Sequence, residues 1–507
     1  MSLWALGAAV AVFVLLGALG SRFAPWLASP GDGTLYRGVI YTLAGAVSLH
    51  LVLTVLDFSG VRWSLPALAV AAAVIAGVAM IATAPPPKTL ITPALFSHRP
   101  PPNREKREKN KNAPAGFPSP GWREGVGEGT GVRVLGWGPS EAKVTPRPGK
   151  LGWGDALALF ALALFAALAV TGWIAMPDFV YHWGLKGHRF YLARGVDYSF
   201  LAHRWNWAIH PEYPNLVPEM FAVTALLAGS FDMPAMMLET AVLFALLVAA
   251  CREGLRQGGA PPFIQQAGTA LVALSCAAFG IGYIMAGAAD WNLALALAAA
   301  LPPLLRPPDR TGDFQLAVAA AFAAASKIEG VPLAAFLVAV QVVRRVWAER
   351  RLNLRAVAAA GLLPAAVVLP WVGRAAHHHL FQPLESGAFE LARAGEIFAG
   401  VGEALQNPAW HGLLPVMFLP PLLLFPRRTR AFAAAATLEL VFYFYVYFTS
   451  PVGNYHYFVL SNFPRLGFQL VPACLVAALV VWGGPKGERP AGTLCGCPPA
   501  AADHEPA

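Results

Sequence analysis

Charge is what this chain has least of. Of its 507 residues, 13% are Asp, Glu, Lys or Arg, against roughly a quarter in an ordinary soluble domain. A water-facing surface cannot be built on that supply, which excludes a soluble globular fold. Cysteine is scarce too, at five. Cys251, Cys276 and Cys474 stand in or beside apolar runs, where Cys acts as a small hydrophobe. Cys495 and Cys497 form a CxC in a polar tail, with no second pair at zinc-finger spacing. Neither a disulfide framework nor a structural zinc module follows. Alternating strands of the outer-membrane barrel kind are missing as well. Acids are outnumbered by bases, 28 to 37, for a formal net charge of +9. That excess sits mostly in short loops between apolar runs. Membrane orientation explains it, and no nucleic-acid partner is expected.

Hydrocarbon is abundant. Hydrophobic residues make up 57% of the chain and the mean hydropathy is +0.53. Apolar runs of about 17–25 residues recur, the length that crosses a bilayer core. The expected fold is all-α, a polytopic transmembrane helical bundle of about 12–13 spans. The spans are expected near 3–20, 36–56, 65–84, 154–176, 233–251, 264–284, 290–306, 314–326, 331–346, 355–371, 411–425, 431–448 and 466–482. Residues 215–230 are apolar too, but Pro211, Pro214 and Pro218 interrupt the approach. They read as a juxtamembrane or re-entrant helix. The first run lacks a basic leader and a clear cleavage site, so it reads as an anchor.

Lys and Arg set the orientation. Arg22/Arg37, Arg252/Arg256, Arg306/Arg310, Arg344/Arg345/Arg350/Arg351, Arg427/Arg428/Arg430 and Lys486/Arg489 fall on one side of this span list. That side is expected to be the cytoplasm. The loops 177–214, 285–290, 327–330, 372–410 and 449–464 then face outward from an inner (plasma) membrane. Four regions result: N-terminal helices over 1–84, a basic loop over 85–150, a main transmembrane domain over 151–484 and a tail over 485–507. The loop opens on Pro85-Pro86-Pro87, continues through the charged run Arg104 to Lys111 and becomes Gly/Pro-rich. It reads as disordered and as a dispensable insertion. The alternative is a segment that binds anionic lipid.

Five constellations of polar residues stand on the outward side. Asp178 directly follows a span, and His182 and Lys186 follow it at helical spacing. A carboxylate, an imidazole and an ammonium on one face would make a base or a charged pocket. His210-Pro211-Glu212-Tyr213-Pro214 is expected to be a rigid extended turn. Asp290 interrupts an apolar run, where an ionisable group marks a function or a partner. Lys327 lies in Ser326-Lys327-Ile328-Glu329-Gly330, an outer turn whose cation runs against the charge asymmetry and suits an anionic ligand. Arg465 closes Ser461-Asn462-Phe463-Pro464-Arg465, shortly after Tyr455-His456-Tyr457, and can grip a phosphate bidentately. The bland alternatives are helix-end polarity for Asp178, an ordinary turn for His210–Pro214, a loop acid for Asp290 and snorkelling for Arg465.

The order and sidedness of these motifs over 154–482 resemble the GT-C superfamily of membrane glycosyltransferases. The group most similar is glycosyltransferase-39-like, related to protein O-mannosyltransferases and lipid A aminoarabinose transferases. The resemblance implies a long extracytoplasmic first loop and a sugar donor carried on polyprenyl phosphate. It implies Asp178 and Asp290 as catalytic acids, and Lys327 and Arg465 as the cations that receive the donor phosphate. His182, Lys186, His210, Glu212 and His456 would line the substrate pocket. No cofactor is required outright, and a divalent cation stays open. The implied partners are the lipid-linked sugar and membrane lipids. The competing expectations are a transporter or lipid flippase, which would use the same charges as a path, and a non-catalytic relative.

Overall fold

The structure, a computed structural model, describes residues 2–83, 152–278, 285–381, 388–410, 412–450 and 454–483. The basic loop and the C-terminal tail expected from the sequence lie outside these. Among the described residues all regular structure is helical. Helices of ten residues or more are numbered here: α1 Leu3–Gly20, α2 Thr34–Phe58, α3 Leu65–Thr83, α4 Trp153–Thr171, α5 Gly184–Ala193, α6 Leu216–Ala228, α7 Met233–Gln257, α8 Pro262–Ala278, α9 Asp290–Leu305, α10 Arg310–Ser326, α11 Gly330–Glu349, α12 Leu354–His377, α13 Ala394–Gln406, α14 Arg430–Thr449 and α15 Tyr455–Gly483.

Among the described residues, eight helices are long and apolar enough to cross a membrane: α1, α2, α4, α7, α11, α12, α14 and α15. The centre of the bundle is made of shorter ones. All 16 residues of α9 are buried, and nearly all of α10. A 16-residue helix is about 24 Å long, less than the hydrocarbon thickness. Its ends can stay short of the bilayer surface because other helices, not lipid, surround it. Both helices are rich in Ala, as in Ala298-Ala299-Ala300 and Ala323-Ala324-Ala325. Small side chains let several helices approach one axis. The same logic operates between α1 and α2. A Cβ on Gly20 would meet Tyr41 O at 1.8 Å, and one on Gly45 would meet Leu16 O at 1.9 Å.

The polar residues gather at the two ends of the central helices. One end is a belt of Arg–carboxylate pairs. Arg306 Nη1 lies 2.7 Å from Asp32, Arg252 Nη1 lies 3.0 Å from Asp155, and Arg345 Nη2 lies 2.5 Å from Asp313. Helix α9 runs from Asp290 toward this belt, α10 returns from it to Lys327, and α11 runs back to it from Glu329. Asp290, Lys327 and Glu329 therefore meet at the opposite end.

Several expected elements are corrected. Over the described residues 412–425 the span expected at 411–425 is not an α-helix. These residues form 3-10 turns at Leu414–Phe418 and Leu422–Leu424. Pro415, Pro420, Pro421 and Pro426 remove the N–H groups that a continuous helix needs. Leu414 and Met417 of this stretch are buried against Gly467 of α15. The last helix starts at Tyr455, not after Arg465, and carries Pro464 and Pro472 inside it. Tyr455–Tyr457 and Ser461–Arg465 are therefore helical, not loop. The span expected over 154–176 is helical only to Thr171, and a 3-10 turn, Trp173–Ala175, follows.

Candidate active site

The site is assembled from ends of helices. Gly330 starts α11 where a Cβ would lie 2.0 Å from Ala323 O. That contact brings α10 and α11 together, and the short turn between them holds Lys327 and Glu329. Asp290 is the first residue of α9. Arg465 and Gln469 stand one turn apart on one face of α15. Asp178 precedes a wide π-type turn, Phe179–Trp183, that leads into α5. Such turns recur at functional sites.

Arg465 is the hub. Its guanidinium is paired with Asp178 through Nη2, with Nη1 at 3.5 Å from the same carboxylate, and Nη2 also lies 3.1 Å from Asp290 Oδ2. Asp290 Oδ1 accepts from Lys327 Nζ at 3.2 Å and from Gln469 Nε2 at 2.5 Å. Lys327 Nζ also lies 3.0 Å from Glu329 Oε1. Tyr443 donates to Gln469 Oε1 at 2.5 Å, which fixes the amide so that its N–H groups face Asp290. The Asp290 side chain is fully buried, while those of Asp178, Glu329 and Arg465 keep 23%, 20% and 26% of their surface. Asp290 thus lies behind the others, and three groups face the opening. Burial works against the charge on Lys327, but Asp290 and Glu329 outweigh it and hold its pKa above the ordinary value.

The four residues Asp178, Asp290, Lys327 and Arg465 come together in this way. No protein-family model, curated protein or solved structure matches the chain. The chemistry is therefore argued from the cluster itself. It holds three carboxylates and two cations. Neither cation is unpaired, so an incoming phosphate must compete with the carboxylates. Some donor capacity remains: Arg465 Nε is buried without a partner. Among the described residues, no group of three or more His, Cys, Asp or Glu is placed to hold a metal ion. Arg465 occupies the position between the carboxylates of Asp178 and Asp290, so the two acids do not fit a shared divalent cation.

A second group forms beside it. His182 and Lys186 converge on the His210–Tyr213 turn, while Asp178 pairs with Arg465. Lys186 Nζ donates to His210 O at 2.6 Å, and lies 5.4 Å from the Trp183 ring and 6.0 Å from the Tyr213 ring. His182 stacks on Trp183 at 4.2 Å, and His210 stacks on Tyr213 at 4.5 Å. The turn at 210–214 is not extended: His210 has φ +50°, and Tyr213 N–H donates to His210 O at 3.1 Å. Glu212 Oε1 lies 3.2 Å from His210 Nδ1, and Trp371 Nε1 holds the Glu212 carbonyl at 2.9 Å. Burial, then Lys186, His210, Lys327 and Arg465, hold the His182 pKa well below the ordinary range. His182 is therefore neutral at pH 7, and its Nε2 is buried without a partner. His456 does not join. It lies about 13.5 Å up α15 from Arg465 and pairs with Glu403 at 2.8 Å.

Burial pushes the Lys186 pKa down to about 7, against the pull of Glu212. The unfolded chain keeps that proton up to its ordinary 10.5. Between these values the unfolded state binds more protons, so stability rises with pH in that window and this contribution is flat below it. Lys186→Met should therefore change the melting temperature most favourably, relative to wild type, at pH 7, and the difference should move toward wild type by pH 10. A difference that is constant across that range would show that Lys186 keeps its proton.

Sequence reasoning missed Gln469 and Tyr443, neutral residues inside apolar runs with no charge to mark them. It also missed His50 and Glu219, a buried pair at 2.7 Å, and Glu439, buried with both carboxyl oxygens unpartnered. The available signal was a lone ionisable residue within an apolar helix.

Proposed function

We propose that this protein is an integral membrane glycosyltransferase. It moves a sugar from a polyprenyl-phosphate donor to an extracytoplasmic acceptor, in the manner of the GT-C enzymes. The observation that carries the reading is the Asp178–Arg465–Asp290–Lys327 cluster, at the end of the bundle opposite the Arg belt. If the belt marks the cytoplasm, the cluster opens outward at the level where the head of a lipid-linked substrate lies.

Each group has a defined task. Asp178, a half-buried acid at the opening, takes the proton from the acceptor hydroxyl as oxygen attacks the anomeric carbon. The bond from that carbon to the phosphate oxygen breaks, and the electron pair leaves with the phosphate. Attack opposite the leaving group inverts the centre. Arg465 and Lys327 exchange carboxylate contacts for the phosphate and stabilise its growing charge. Asp290 touches neither reactant. It holds the two cations and is a positioning residue. Neutral His182, with its free Nε2, and the Lys186–Trp183–Tyr213 group flank the place for the sugar.

The test uses purified protein in liposomes with a synthetic polyprenyl phosphate carrying labelled sugar, plus extracted envelope lipids as acceptors. Release of polyprenyl phosphate that depends on acceptor is expected. Movement of the intact donor across the bilayer without cleavage would replace the enzyme by a transporter. Orientation is checked separately. In a protein whose Cys495 and Cys497 are serine, Arg204→Cys should react with an impermeant thiol reagent in intact cells. Reaction only after permeabilisation of the inner membrane would reverse the topology.

A further inference from the structure

A pocket inside the bundle lies between α6, α7 and the start of α9. Met220, Phe221 and Leu243 give it hydrocarbon walls, while Glu239 and Asn292 give it oxygen. Both polar residues are almost fully buried, at 2% and 1% exposure. Glu239 Oε1 and Asn292 Oδ1 have no hydrogen-bond partner, and the Thr224 hydroxyl stands within reach of the Glu239 carboxyl. The Asn292 amide nitrogen is committed to Ser326 Oγ at 3.1 Å. Only its oxygen is on offer. Among the described residues, no Lys, Arg or His forms an ion pair with Glu239.

We propose that this pocket binds a monovalent cation, Na⁺, through Glu239, Thr224 and Asn292. A carboxylate, a hydroxyl and an amide oxygen are the ligand types of hard cations. An isolated carboxylate among hydrocarbon walls is costly, and a bound cation offsets that cost. One carboxylate balances one positive charge. A divalent ion would leave a net charge in the same apolar surroundings. The site also touches the charged cluster. Asn292 is two residues beyond Asp290, and its partner Ser326 immediately precedes Lys327. An ion bound here therefore braces the ends of α9 and α10 that carry those residues. The inference stands independently of the transferase reading.

The experiment is thermal unfolding of the purified full-length protein in detergent. NaCl is titrated against choline chloride at constant ionic strength, with KCl and LiCl in parallel. A saturable rise in melting temperature that depends on Na⁺ is expected, and Glu239→Gln should abolish it. Direct binding of ²²Na⁺ to the wild type, with Thr224→Val weakening it, gives an answer even if the Gln variant fails to fold. Equal melting in NaCl and choline chloride, with no saturable ²²Na⁺ binding, would overturn the proposal. In that case Glu239 carries a proton instead.

Discussion

Asp178→Asn is expected to slow sugar transfer by roughly 10²–10⁴-fold, the range for loss of a general base, while leaving a folded protein. The substitution keeps volume and removes one charge from a cluster that holds three carboxylates against two cations. Arg465 retains Asp290 as a partner at 3.1 Å, so no cation is stranded. Asp178 is also one of the three members with surface left, at 23%. Losing its ion pair should therefore cost little stability. The measurement is turnover of the lipid-linked sugar beside thermal unfolding in detergent. Near-normal turnover would remove Asp178 as the base. Lost turnover together with lost folding would mean that the ion pair to Arg465 is its main role.

The helical bundle could be read from apolar run lengths, because a bilayer-sized run leaves few other structures available. Four cluster residues could be read as well, because charges at the edges of apolar runs are conspicuous. Their arrangement could not. Nothing local to Arg465 says that it lies between Asp178 and Asp290, 287 and 175 residues away. Read alone, Lys327 and Arg465 stand at membrane boundaries without the carboxylates that pair with them in the fold. The sequence places the last span at 466–482, beyond Pro464. In the fold the helix continues through it, with Val459, Phe463 and Leu466 buried in the bundle. That continuity carries His456 away from the site. For 411–425 the difference runs the other way, since average hydropathy is blind to the three prolines, Pro415, Pro420 and Pro421. Gln469 shows the deeper limit. A neutral amide in an apolar run carries no pattern, yet it donates to the most buried acid of the cluster.

Arg465→Met should produce the largest loss of stability of any single change in the cluster, on the order of 3–5 kcal/mol, the cost of stripping a buried ion pair of one partner. The charge count gives the reason. With Arg465 gone, Asp178, Asp290 and Glu329 share only Lys327, and Asp290 has no solvent to turn to. Removing an acid is milder, because Asp290→Asn leaves two carboxylates against two cations. The double variant Arg465→Met/Asp290→Asn should accordingly be more stable than Arg465→Met alone, although it stays inactive. Such a rescue is a coupling energy, and packing loss at the Met cannot generate it. Acidification should narrow the gap between Arg465→Met and wild type, since protonating the stranded carboxylates removes the repulsion. Melting temperatures of the four proteins at pH 5 and pH 7.5 decide the matter. Strictly additive losses at both pH values would mean that Arg465 packs beside Asp290 without neutralising it, and the hub assigned to Arg465 would fall.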